Sequence, residues 1–152
     1  MEFLEYLDTI EIEIIKMVEQ VGYKTDENTE LCLLSDNYVG FIDKRKKEII
    51  ICTNNARKRE HYIYSKKRYN DAYERTALHI KKALRHEAVH VAQECNDGKL
   101  LNIEGNLSMN ISKMNALKGS IKISGEMEKE KQAYILEDKP KIVKKELRKY
   151  CL

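Results

Sequence analysis

The sequence predicts an α+β fold, in which a small antiparallel sheet packs with helices. Two observations carry this. Tyr38-Val39-Gly40-Phe41-Ile42 and Glu48-Ile49-Ile50-Ile51-Cys52 are short runs rich in β-branched and aromatic residues. They flank the charged stretch Asp43-Lys44-Arg45-Lys46-Lys47, which reads as a β-hairpin. Elsewhere, long stretches place apolar residues at helical spacing with no Gly or Pro inside them. At 152 residues the chain suits one domain, spanning 1–152, with a real core.

The elements follow in order. Phe3, Leu4, Leu7, Ile10, Ile14, Ile15, Val18 and Val21 recur at helical spacing, which predicts a helix over residues 2–21 stopped at Gly22. Tyr23 to Thr29 is polar and turn-like, and Leu31 to Leu34 is a short apolar run. After the hairpin, Thr53 to Lys67 is polar and reads as irregular. A helix from about Asp71 to Cys95 ends before Asn96-Asp97-Gly98, a stop signal. Residues 106–118 read as a further helix closed by Gly119, and another covers about 125–137. Pro140, the only proline, is placed to start a last helix ending near Tyr150.

Composition excludes some classes. Charged residues make up 35% and the net charge is only +3, too small to argue for nucleic acid by itself. No apolar run approaches membrane-spanning length. The acidic start Met1-Glu2-Phe3-Leu4-Glu5 lacks the basic region of a signal peptide. The expected compartment is therefore the cytoplasm, of a bacterium or of a phage-infected host. The four cysteines, 32, 52, 95 and 151, form no Cys-x-x-Cys pair, and in a reducing cytosol they are expected as free, mostly buried thiols.

The chemistry concentrates at His86-Glu87-Ala88-Val89-His90, an HExxH run inside the longest predicted helix. Residues four apart on a helix share one face, so two imidazoles there can grip one metal ion. Glu87 stands one step past His86, where its carboxylate can reach a water on that metal. A third ligand is available downstream. Glu126, Glu130, Tyr134 and Glu137 form one stripe of the predicted 125–137 helix. Of these acids Glu130 is the predicted ligand, because the small Ala133 three positions on permits a tight approach to the HExxH helix. Glu126 and Glu128 read as members of a solvated charge run. Cys95 lies well off the His face, and His79, two turns before His86, is too far to be a ligand.

With these residues the chain resembles the gluzincin class of zinc metallopeptidases, in which two His from one helix and a Glu from a later helix hold the metal. Glu130-Lys131-Gln132-Ala133 is similar to the Glu-x-Glu-Ala signature of small HExxH peptidases of bacteria and mobile elements. The run from Leu84 to His90, with Gln93 and Cys95, is similar to short phage and cyanobacterial HExxH proteins. The resemblance is specific only over 84–95 and 126–137. It departs at Tyr134, where thermolysin-type enzymes carry an Asp, and at Gln132, where the signature has its second Glu. The partner that orients the first His is thus left unassigned. No Gly follows His90 in the metzincin pattern. The resemblance implies a minimal zincin-like domain holding Zn²⁺ through His86, His90 and Glu130. Glu87 would be the general base for hydrolysis of a peptide or protein substrate, and an edge strand would line the cleft. Tyr134, one turn from Glu130, is the candidate donor to the oxyanion.

Two other function classes are kept open. Arg57-Lys58-Arg59 and Lys66-Lys67-Arg68, interleaved with Tyr62, Tyr64 and Tyr69, could bind a nucleic-acid strand by phosphate contact and stacking. A metal-bound fold without catalysis could serve as an interaction module.

Overall fold

The computed structural model describes residues 1–64, 69–103, 113, 116–117 and 126–152, with backbone only for 59–64 and 69–71. Among these residues, five α-helices surround a three-stranded sheet, an α+β arrangement. The helices are α1 (Thr9–Gln20), α2 (Thr53–Tyr64), α3 (Tyr69–Cys95), α4 (Met127–Leu136) and α5 (Pro140–Cys151). The strands are β1 (Lys24–Glu27), β2 (Gly40–Asp43) and β3 (Glu48–Ile51). No helix of the described residues is long and apolar enough to cross a membrane.

The hairpin forms as expected: β2 and β3 pair antiparallel, with Phe41 opposite Ile50. Asp43 Oδ1 closes its turn by accepting from the amides of Arg45 and Lys46, both at 3.0 Å. The sheet as a whole is mixed, not antiparallel, because β1 adds parallel to β3. That strand arises from a segment whose polar residues read as a turn. Its backbone is held by the β3 ladder, so apolar alternation is not what selects it. The strand order β1-β3-β2 makes β3 central. Ile49 and Ile51 face the main core, whereas Ile50 joins Cys32, Cys52 and Phe41 in a small second core on the other face.

Two further expectations need correction. Residues 53–64 are helical, not irregular. Cys52 caps this helix, its carbonyl accepting from the Ala56 amide at 3.1 Å, and Asn28 Oδ1 accepts from the Asn54 amide at 3.0 Å. Local capping thus outweighs the polar composition. The first expected helix is also broken: a 3-10 turn over Glu2–Tyr6 precedes α1. Asp8 and Glu11 form a capping box that starts α1 afresh, with the Asp8 amide donating to Glu11 Oε1 at 3.2 Å. Residues 106–118 fall mostly outside the described residues.

The cysteines are not free. Cys32 bonds to Cys52 and Cys95 to Cys151. Spacing could not reveal this, because the partners lie on different elements and meet only when α5 packs along α3 and the Glu30–Leu33 turn packs on β3.

Burial explains where α3 sits. Ile80, Leu84, Ala88, Val91 and Ala92 form its apolar stripe and are essentially fully buried. Beneath that core, Glu27 ties three segments together. Its carboxylate accepts from the amides of Glu2 (3.0 Å) and Phe3 (2.7 Å) and from Thr53 Oγ1 (2.6 Å). Burial alone would raise its pKa, but these donors outweigh it and hold the carboxyl below its ordinary value.

Glu27→Ala is expected to lower the unfolding free energy by about 1–3 kcal/mol in urea titrations near neutral pH. Because the folded value is depressed, the contribution is full above the ordinary glutamate value of 4.5 and fades as pH falls through the folded value. The gap between wild type and variant should therefore close in acid. A gap that stays constant would exclude the carboxylate as its source.

Candidate metal centre

Helix α3 carries Arg85, His86, Glu87 and His90 on a turn that is buried throughout. A buried ionisable group is costly without a partner, and each of these residues meets one from another element or is hemmed in by one. Glu130 of α4 lies across the two imidazoles. Its Oε2 is 3.0 Å from His86 Nε2, and its Oε1 is 3.0 Å from His90 Nε2. The ligating atoms of His86, His90 and Glu130 all lie within 4.8 Å of one another.

The His90 contact is close but is not a hydrogen bond: Nε2 is buried and has no hydrogen-bond partner. The reason lies on the other side of the ring. Gln93 Nε2 donates to the Lys129 carbonyl (3.1 Å) and to Gln132 Oε1 (3.0 Å). Gln132 is itself fixed on the Leu101 backbone, accepting from its amide (2.9 Å) and donating to its carbonyl (2.8 Å). With both amides so oriented, Gln93 turns Oε1 toward His90 Nδ1 at 2.8 Å. That oxygen can only accept, so Nδ1 carries the hydrogen, and in the neutral ring Nε2 presents a lone pair.

His86 is held differently. Its Nδ1 is 3.3 Å from Glu137 Oε1, so carboxylates face both ring nitrogens. Burial alone would lower this imidazole's pKa. The hydrogen bonds to Glu130 and Glu137, with the field of Glu87, outweigh burial and raise it to about 10. Burial would likewise raise Glu130, but the hydrogen bond and charge of His86 hold it well below the usual carboxylate range. For Glu87, burial is the largest influence and pushes the carboxyl up, against the pull of His86.

Supporting contacts fix these parts. Arg85 Nε donates to the Glu137 carbonyl (2.6 Å), and its other arm reaches Glu11 Oε2 (3.2 Å), the residue that caps α1. Lys113 donates to the Tyr134 carbonyl (2.7 Å) and pairs with Glu137 (3.4 Å) and Asp138 (3.0 Å). Gly40, the first residue of β2, packs directly on α3. A Cβ there would stand 3.1 Å from Ala83 Cβ and 3.4 Å from Glu87 Oε1. Glycine is what lets this edge strand lie against Glu87.

A buried nitrogen lone pair, a second imidazole and a carboxylate converging on one point fit a divalent cation, and the mixed nitrogen and oxygen set suits zinc among others. Loss of the His86 Nε2 proton would complete the donor set, with Glu137 still holding Nδ1–H.

The predicted ligands therefore meet. Glu126 is exposed and pairs with Lys44 (3.5 Å) and Lys129 (2.9 Å), and Glu128 is also exposed. The Tyr134 ring packs edge-on against His86, 4.4 Å between centroids, and its hydroxyl donates to the Ala116 carbonyl at 3.3 Å. His79 is half-buried on α3. Glu137, Gln93 and Gln132 were missed as supports. The stripe ending in Glu137 was the available signal for the first, since this residue, one turn beyond Tyr134, occupies the role left unassigned on His86. In the basic segment 57–69, Arg57 is committed to Glu2 (2.6 Å) and to Tyr6 Oη (3.0 Å). Lys58 stands 3.9 Å from Asp36, and the remaining side chains lie outside the described residues.

Residues 3–152 match the model of the family described as Domain of unknown function (DUF8637). The chain belongs to this family. No curated protein and no solved structure matches it.

If Gln93 sets the His90 tautomer, Gln93→Leu should weaken zinc binding about 10–100-fold in calorimetric titration, with helix content by circular dichroism unchanged. Glu130→Gln should weaken it more, whereas Glu126→Gln should leave it as in wild type. An equal loss in the Glu126 and Glu130 variants would reject Glu130 as the ligand.

Proposed function

We propose that this chain is a zinc-dependent metallopeptidase, with His86, His90 and Glu130 as the metal ligands and Glu87 as the general base. The observation that carries the reading is the convergence of those three donors around the unpartnered His90 Nε2, with a buried carboxylate one residue from His86. A bound zinc ion would polarise a scissile carbonyl and bring the pKa of a water toward neutrality. Glu87 would take the proton of the attacking water and hand it to the leaving amine. Burial favours its uptake of that proton, since the neutral acid is the form a buried site prefers. Glu137 and Gln93 would hold the two imidazole rings in place through Nδ1. Strand β2 lies at the sheet edge and its first residue packs near Glu87, which supports a backbone ladder beside the base that an extended peptide could join. For Tyr134 to stabilise an oxyanion, its hydroxyl would have to exchange the Ala116 carbonyl for that oxygen.

A second reading, a metal-bound interaction module without catalysis, is favoured by one observation. His86, Glu87, His90 and Glu130 are only 8%, 6%, 4% and 8% exposed, so the site is shielded from solvent.

Glu87→Gln separates the two readings, because the amide keeps the shape of the side chain but cannot accept the proton. The variant should retain zinc by elemental analysis and lose roughly a hundredfold or more of its hydrolysis of a broad peptide library. Equal cleavage by both proteins would reject Glu87 as the base, and cleavage by neither would reject the peptidase and leave the interaction module.

A further inference from the structure

We propose that the exposed ridge of α5 is a docking surface for the phosphate backbone of a nucleic-acid duplex, with Lys141, Lys145 and Arg148 as its central contacts. The inference is independent of the metal site. Residues 139–152 hold six of the chain's 28 basic residues and one of its 25 acids. The rest of the chain therefore has a net charge of −2, and the whole positive excess sits on this one helix. Its single acid, Glu146, is buried on the inward face with Val143 and Leu147. A small overall charge thus conceals a strongly charged patch.

Neighbouring acids do not neutralise the ridge. Glu13 of α1 pairs with Lys144, and Asp138, just before the helix, pairs with Lys82 (3.4 Å) and Lys113 (3.0 Å). Lys149 is turned to the Asn102 carbonyl (3.2 Å) and stands 4.0 Å from Glu146. Lys141, Lys145 and Arg148 are exposed and make no ion pair among the described residues. Arg148 is near enough to act on Glu13, but Lys144 already holds that carboxylate. The placement also works against the helix. Lys141 lies in the first turn, which has no acid, so its charge opposes the positive end of the helix dipole. Like charges stand four residues apart at Lys141 and Lys145, and again at Lys145 and Lys149. Only Arg148 and Lys149, in the last turn, suit the dipole. A bound polyanion relieves the repulsion that the fold leaves unanswered.

The shape of the ridge selects the partner. The three residues stand at i, i+4 and i+7, so their charges form a single line. That line spans about 10 Å along the helix axis, a length over which one strand of a duplex presents about three phosphates. The outward face has no large exposed apolar residue before the terminal Leu152, and the apolar face is buried in the core. It therefore offers no apolar anchor to a protein partner and none for insertion into lipid. Tyr150 is half-buried, its hydroxyl accepting from the Asn102 amide (2.9 Å) and Lys149 lying 4.9 Å from its ring centroid. With no aromatic face presented to stack on bases, the ridge suits paired strands, for which charge alone supplies non-specific affinity.

The test follows the anisotropy of a fluorescein-labelled DNA duplex as the full chain is added at graded salt. Wild type should bind, with affinity falling roughly 40-fold between about 50 and 200 mM salt, the dependence of about three phosphate contacts. Lys141→Gln, Lys145→Gln and Arg148→Gln together should remove most of that binding, and Lys145→Gln alone should lower the log–log salt slope by about one. A charge-matched control, with Lys24→Gln, Lys46→Gln and Lys131→Gln at exposed sites on other elements, should bind as wild type. The ridge variant should keep the melting temperature of wild type, since its cations serve no contact in the core. Absence of wild-type binding, equal loss in the control, or a ridge variant that binds as wild type or melts lower would each overturn the proposal. So would binding to phosphatidylcholine–phosphatidylserine vesicles in place of the duplex.

Discussion

Less than two turns of α3 bury an arginine, two histidines and a glutamate within six residues, and the surrounding structure is organised to make that tolerable. Four ionisable groups out of water would cost several kcal/mol each if left unpaired. Two neighbouring helices answer this demand. Helix α1 offers Glu11 to Arg85, and α4 offers Glu130 to the imidazoles. Its C-cap residue Glu137 serves twice, the carboxylate on His86 and the carbonyl on Arg85. Glu11 also caps α1. The packing of α1 and α4 on α3 is thus bound to the same charges that form the site.

The two histidines are held by unlike means. His90 is set by a neutral chain of amides that ends on the Leu101 backbone, so its hydrogen is fixed by geometry and no further charge is buried on that side. His86 lies between carboxylates, and its charge is the positive counterpart of an acidic pocket formed by Glu87, Glu130 and Glu137. A dication in place of that proton would answer the same three acids. The arrangement that sets His86 against these acids is thus also suited to a divalent cation.

The sheet and its disulfide serve a different end of the molecule. Central strand β3 buries Ile49 and Ile51 toward α3 and Ile50 toward Cys32 and Cys52, so one strand joins the main core to the small outer one. The Cys52 amide donates to the Val39 carbonyl at 2.7 Å, next to the glycine that packs near Glu87. The disulfide and the hairpin are therefore joined through a short piece of backbone that leads to the α3 surface.

The sequence by itself determined the parts whose signal is local. The HExxH spacing fixed which face of α3 carries the histidines, and a β-branched hairpin and the helix stops at Gly22 and Gly98 were legible because they depend on neighbours in the chain. Glu130 was legible from a helical stripe and a family resemblance. Tertiary structure decided the rest. Strand β1 exists because β3 offers it a ladder, and α2 because its first turn is capped by Asn28 from a distant segment. Both disulfides join residues brought together only by packing. Glu137, Gln93 and Gln132 acquire their roles from the crossing of α3 and α4, since a carboxylate or amide is committed by what it faces after packing and not by its spacing in the chain.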